Sequence, residues 1–391
     1  MDTIKNKNNK TAVLFCSVLM LITAASDSLR GVFLPGFKAA FSLTEPQASR
    51  IIMVSYLGNL LFLSVGGYLS DRVPRKKFIG GLLLLWSTAL LSYVFTENYN
   101  LLLAAMLVSM GGSTMLSTSV NLLTPMLFVS PAMFVSIFNF IQGIGITATQ
   151  NIGGRFAETL TAWHTANIIL LVLAVICFIL LTRLDLPEQQ SNEKKANYPE
   201  LIKNPATILL ILICGFYFVA EHGLMNWLTS YGTEHLGLSV SDSAKYLSLF
   251  FGGITVGRLI FAPFIDRIGV FRSLLIWSLA GAALYSAGIA LGKGGLIVVG
   301  ISGLAFSIIY PMLVVLIGSF YAPAVSGSAT GFVLSAATFF DIFFNAFFGD
   351  IIENVGYGKA IIILPASAIL FCAVLYILRF CVPSPAGKKP K

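Results

Sequence analysis

The chain has 391 residues, 57% of them hydrophobic and 11% charged, with a mean hydropathy of +0.86. A soluble domain carries about 25% charged residues, so a water-facing surface is excluded and a lipid-facing one is expected. The net charge of +8 does not call for nucleic acid, because the placement of the basic residues matters more than their sum. Cys16, Cys177, Cys214, Cys372 and Cys381 lie in or beside apolar stretches without a CxxC pair, so neither a disulfide framework nor a metal site is expected.

A helix needs about 20 mostly apolar residues to cross the hydrocarbon core. Apolar runs between polar breaks predict twelve transmembrane segments: 11–36, 48–70, 78–96, 100–127, 132–155, 163–183, 206–232, 244–265, 272–292, 295–319, 325–350 and 358–381. The basic start (Lys5, Lys7, Lys10) runs into a first segment too long for the apolar core of a signal peptide. Ser130-Pro131 and Ala322-Pro323 are the breaks that separate segments 4 from 5 and 10 from 11. The expected fold is an all-α membrane protein of twelve transmembrane helices in two pseudo-symmetric six-helix bundles. The bundles are expected at 1–184 and 205–391, joined by a polar linker at 185–204 that contains Glu188 to Lys195.

Placing both termini in the cytoplasm puts seventeen of the 25 Lys and Arg residues on inside segments and five on outside ones. The remaining three, Arg30, Arg155 and Arg258, fall within segments. That bias follows the positive-inside rule. It predicts a multi-pass protein of the inner, cytoplasmic membrane. The halves read as repeats: Asp71-Arg72 follows segment 2 and Asp266-Arg267 follows segment 8, 195 positions later. Phe41–Ala48 and Leu236–Ala244 open segments 2 and 8 at nearly that same offset. Parallel repeats are an established transporter plan.

Gly67-Tyr-Leu-Ser-Asp71-Arg72-Val-Pro-Arg75-Lys76-Lys77 resembles the signature loop of the major facilitator superfamily, with Pro74 where a second Gly is usual. Gly257-Arg258 and Asp266-Arg267-Ile-Gly269 look like its degenerate second copy. The resemblance implies a conformational latch at Asp71 and Arg72, with Gly67, Arg75, Arg258, Asp266 and Arg267 in the two copies. More finely, Gly31-Val-Phe-Leu-Pro35-Gly-Phe37, Glu221 with Trp227-Leu-Thr-Ser-Tyr231, and Tyr310-Pro311 are similar to the fucose–galactose–glucose proton symporter group. That group would place an acid near position 117, where this chain has Ser117, with Asn121 one turn on. Its segment 1 acid also tends to stand one turn away from Asp27.

Ionisable residues at membrane depth are costly, so each is a candidate site. Asp27 and Arg30 lie in segment 1, Glu221 in segment 7 and Asp341 in segment 11. Asp27 and Glu221 are 194 positions apart, almost the repeat offset, which predicts matching places in the two halves. Asp27 and Arg30 at i,i+3 share a face and are able to pair. Glu221 has only His222 as a charged neighbour within four positions on its own helix. A carboxyl without a counter-charge can carry a proton, so Glu221 is the expected coupling residue, followed by Asp27 and Asp341; static structural bonding remains the alternative for each.

Polar side chains supply a candidate solute site: Arg30, Ser117, Asn121, Asn139, Gln142, Asn226, Trp227, Tyr310, Thr338 and Asn345. Amides donate and accept toward hydroxyls while aromatic faces cover the apolar side of a sugar ring. Some of these groups are expected to serve only as interhelical hydrogen bonds. Glycines in segment 5, Gly143, Gly145, Gly153 and Gly154, read as packing or hinge positions.

No nucleophile–base constellation, phosphate loop or metal spacing is present, so neither an enzyme, a cofactor nor ATP coupling is expected. The leading reading is a monomeric secondary transporter, a proton symporter of a small polar solute such as a sugar, working by alternating access. Proton-driven efflux of amphipathic compounds, which the 31 Phe make credible, a non-transporting membrane sensor and an uncoupled uniporter stay open beside it.

Overall fold

The computed structural model describes residues 9–70, 72–95, 97–186, 205–321 and 326–381, and within them all side chains but those of 9, 67, 68, 132, 205, 262–266 and 381. Lys5, Lys7, Asp71, the body of the expected linker (187–204) and the Ala322-Pro323 break lie outside the described residues. Gly67 and Asp266 are described as helix backbone only.

The chain folds as two compact units, Met1–Asn192 and Glu193–Lys391. The first holds α1 (Asn9–Phe41), α2 (Glu45–Ser70), α3 (Arg75–Val94), α4 (Tyr99–Leu127), α5 (Pro131–Gly154) and α6 (Leu160–Thr182). The second holds α7 (Pro205–Glu234), α8 (Val240–Ile268), α9 (Val270–Ala290), α10 (Leu296–Phe306), α11 (Ile309–Ser319), α12 (Ser326–Val355), α13 (Tyr357–Ala360) and α14 (Ile363–Cys381). Among the described residues there is no strand, and eleven segments are long and apolar enough to cross a membrane. The 24-residue α5 (Pro131–Gly154) is also long enough to span.

Packing repeats between the units. In the first, α1 lies on α5 and α6, α2 on α4, and α3 on α4 and α6. In the second, α7 lies on α12 and α14, α8 on α10, and α9 on α10 and α14. Each pair recurs six spans later, which is the pseudo-symmetry expected from the paired loops. The repeat extends to single hydrogen bonds. At the start of α2, Thr44 N–H donates to Gln47 Oε1 at 2.9 Å and Gln47 N–H to Thr44 Oγ1 at 3.4 Å. At the start of α8, 195 positions on, Asp242 N–H donates to Ser239 Oγ at 3.0 Å and the Ser239 hydroxyl to Asp242 Oδ2 at 2.9 Å. The first is a capping box; the second keeps its N-cap half, a hydroxyl accepting from the N–H three residues on, while the carboxylate takes the hydroxyl proton.

Close helix approach is bought by glycine at the same two crossings. A Cβ on Gly58 would stand 2.1 Å from the Leu107 carbonyl, between α2 and α4. One on Gly303 would stand 1.9 Å from the Phe250 carbonyl, between α8 and α10. Small residues let backbones meet where lipid gives no hydrophobic drive to association. Gly145 does the same for α5 against α1, with Leu21 O at 2.6 Å, as its packing role predicts.

Segments 10 and 12 are each a single span, Gly292–Ser319 and Tyr357–Phe380, interrupted by a two-residue turn at 307–308 and at 361–362. Pro311 has no N–H for the Ser307 carbonyl and Pro365 none for that of Ile361, so the helix stops at both places. The Ile361 carbonyl turns instead to Leu364 N–H at 3.1 Å. The loops also explain Pro74. Gly269, at the matching point of the second copy, has φ 88°, a conformation open to glycine, whereas Pro74 has φ −50° and ψ 129°. Lys76, just past it, donates to the Thr182 and Leu184 carbonyls at 2.7 and 2.8 Å, closing the C-terminal end of α6.

Candidate functional site

Each unit carries acidic residues inside its membrane-spanning helices. In the first, Asp27 on α1 is half-buried and accepts from the Ser113 hydroxyl of α4 at 2.6 Å. Arg30, one turn along, is 1% exposed, lies over the Tyr56 ring of α2 at 4.9 Å from its centroid, and is within electrostatic reach of Asp27. Tyr93 of α3 is buried in the same region, 1% exposed. Thr23 and Ser117 share a hydrogen bond of 3.0 Å, and Thr114 donates to Asn59 Oδ1 at 2.8 Å. The cluster thus joins α1 to α4, and α4 to α2, through hydroxyls.

In the second unit, Glu221 of α7 is half-buried and forms no ion pair among the described residues. Tyr217, one turn earlier on the same helix, is fully buried beside it. Arg258 of α8 and Tyr310 of α11 are within electrostatic reach of the same Tyr217, and Tyr310 also feels Glu221. Arg258, grouped from the sequence with the loop, instead stands well inside α8. Its Nε donates at 3.3 Å to the Ser307 carbonyl, the acceptor that Pro311 leaves without a helical donor. Asp27 is tied to α4 by Ser113, whereas Glu221, its counterpart 194 positions on, has no such hydrogen bond to the matching span among the described residues.

Asp341 of α12 is 1% exposed, and its Oδ2 meets His222 Nδ1 at 2.9 Å. The His222 ring stacks on Phe218 at 4.9 Å and 21°. His222 therefore points away from Glu221 and belongs to Asp341.

The expected solute-binding side chains divide. Trp227 and Asn345 are fully buried and bonded to each other, Nε1 to Oδ1 at 2.9 Å, a helix–helix contact that removes them from the candidate lining. Asn345 and Asn226 also donate to the carbonyls of Asp341 and His222, four residues back on their own helices. Thr338 does likewise toward Leu334, and Ser117 is engaged by Thr23. Asn139 and Gln142, half-buried at i,i+3 on α5, make no hydrogen bond with any described residue. Asn121 is exposed and Tyr310 is 37% exposed. Gln150, fully buried, leaves both amide atoms without a partner. Of the loop residues, Arg72 and Arg267 are exposed and Arg75 is half-buried. Among the described residues no His, Cys, Asp and Glu group could hold a metal.

Sequence reasoning missed Tyr217, Ser113, Tyr56 and the His222–Asp341 pair. Tyr217 was detectable four residues before Glu221; the others join helices far apart in sequence and needed the packing.

The sequence pattern of the Major Facilitator Superfamily matches residues 16–339. The 3-(3-hydroxy-phenyl)propionate transporter of Escherichia coli (strain K12) is 26% identical over 329 residues, 81% of this chain and 80% of that protein. The L-fucose-proton symporter of the same organism is 24% identical over 342 residues, 77% of each chain. The structure is similar to that of a D-xylose-proton symporter, with TM-score 0.77, 13% identity and coverage of 97% of this chain and 99% of the other, a likeness of fold.

Proposed function

The chain belongs to the Major Facilitator Superfamily, and from that we propose that it is a proton symporter that carries a small polar solute, such as a sugar, by alternating access as a monomer. The observation that carries this reading is Glu221: a half-buried carboxyl within a membrane-spanning helix that forms no ion pair among the described residues. Such a group can take and release a proton as water reaches it. Asn139 and Gln142, with no hydrogen bond of their own among the described residues, supply donors and acceptors for hydroxyls. The likeness to an L-fucose-proton symporter supports the same solute class.

A second reading has one observation in its favour. Arg30 is a buried cation against an aromatic ring, a setting that suits an aromatic carboxylate, and one relative carries a hydroxyphenylpropionate. Proteoliposomes with an inside-alkaline gradient separate these readings. Sugar accumulation that collapses with a protonophore is the expected result. Accumulation of aromatic acids but not sugars would move the solute class, and uptake indifferent to the gradient would overturn proton coupling.

We place both termini and the 185–204 linker on the cytoplasmic side of the inner membrane, on the distribution of Lys and Arg. Cysteines introduced in that linker should react with an impermeant maleimide only in opened cells. Labelling in intact cells reverses the orientation.

A further inference from the structure

A groove of about 770 Å³ runs between α1, α5 and α6 of the first unit, apart from the acids described above. Leu29 and Phe33 line it from α1, Ile152 and Phe156 from the end of α5, and Ile169 and Leu170 from α6. Ile152, Phe156 and Ile169 are 60%, 62% and 56% exposed, so the apolar wall opens outward. Arg155 and Glu158 line the same groove where α5 ends. Both are exposed, and they do not close on one another. Arg155 donates only to Asn151 Oδ1, at 3.3 Å, and Glu158 makes no hydrogen bond or ion pair with any described residue.

Opposite charges three residues apart that leave each other unpaired are complementary to a ligand carrying both signs. An outward-open apolar wall beside them is complementary to a hydrocarbon chain, and the volume is that of a small-molecule site. We propose that the α1–α5–α6 groove binds an aminophospholipid, its phosphate on Arg155, its primary ammonium on Glu158 and one acyl chain along Ile152, Phe156 and Ile169. A bidentate guanidinium–phosphate contact and an ammonium–carboxylate contact are the charge-assisted pairs this head group offers. A choline head lacks the N–H donors for Glu158, and a glycerol head lacks the cation.

Native mass spectrometry of the whole protein, delipidated in detergent and titrated with phosphatidylethanolamine, phosphatidylcholine or phosphatidylglycerol of one acyl composition, tests this. Phosphatidylethanolamine should be retained roughly fivefold better than either of the others, as two exposed charge contacts allow. The Arg155→Gln/Glu158→Gln variant should retain all three alike, with unchanged thermal unfolding. Equal retention by the wild-type protein would mean hydrocarbon occupancy without head-group recognition and would overturn the proposal, as would a preference that survives both substitutions. The readout is binding, so it stands or falls separately from transport.

Discussion

Glu221→Gln is expected to abolish uphill accumulation of solute while leaving exchange of labelled solute across the membrane intact. Gln has the shape of the protonated carboxyl, so the helix packing around it should persist. What it cannot do is lose a proton. In the wild-type protein the carboxylate, once wetted, carries the charge that couples solute to the gradient; the variant has none. With one proton per solute, an imposed gradient of about one pH unit supports at most about tenfold accumulation. The ratio for Glu221→Gln should therefore fall to about one. Counterflow should continue, because exchange needs no net proton movement. Asp27 is the weaker candidate, since Ser113 holds it at 2.6 Å with Arg30 one turn away. Uphill accumulation by a well-folded Glu221→Gln protein would remove Glu221 from the coupling step and pass the role to Asp341 or Asp27.

The spans were legible because the bilayer imposes a length and a composition that any run of apolar residues reveals. The pairing of the halves was legible because Asp71-Arg72 and Asp266-Arg267 repeat at an offset that the Thr44–Gln47 and Ser239–Asp242 helix-start contacts share. The breaks at Ser307 and Ile361 were less so. Both precede a proline by four residues, yet a proline inside an apolar run can bend a span without dividing it. The site was legible as a set of costly residues, not as a set of contacts. Trp227 and Asn345 looked available to a solute because each is polar at depth, and only the α7–α12 packing shows that they satisfy each other. Arg258 was tied to a loop motif by its neighbours in sequence, while the acceptor it finds is a carbonyl made available by a proline in another span. A helix reads its own i±4 neighbours in sequence; partners across a helix crossing are set by packing.

The His222–Asp341 pair gives the sharpest test of that packing. Asp341 is 1% exposed, its Oδ2 is held by His222 and its Oδ1 has no hydrogen-bond partner. His222→Ala should therefore strand a buried carboxyl. Breaking a fully buried pair from one side costs about 3–5 kcal/mol; with the His222 side chain 28% exposed, about 2–3 kcal/mol is the expected loss. Asp341→Asn should cost less, because the amide is neutral and keeps an oxygen toward the imidazole. The combined His222→Ala/Asp341→Asn variant should recover most of what His222→Ala loses, since the stranded group is no longer a carboxyl. A double-mutant cycle on thermal unfolding in detergent, together with counterflow at each corner, measures this coupling. Strong non-additivity in stability with counterflow restored in the double variant is the expected result. Additive losses would mean that the two side chains do not depend on each other, and that α7 and α12 are held instead by contacts such as Trp227 with Asn345.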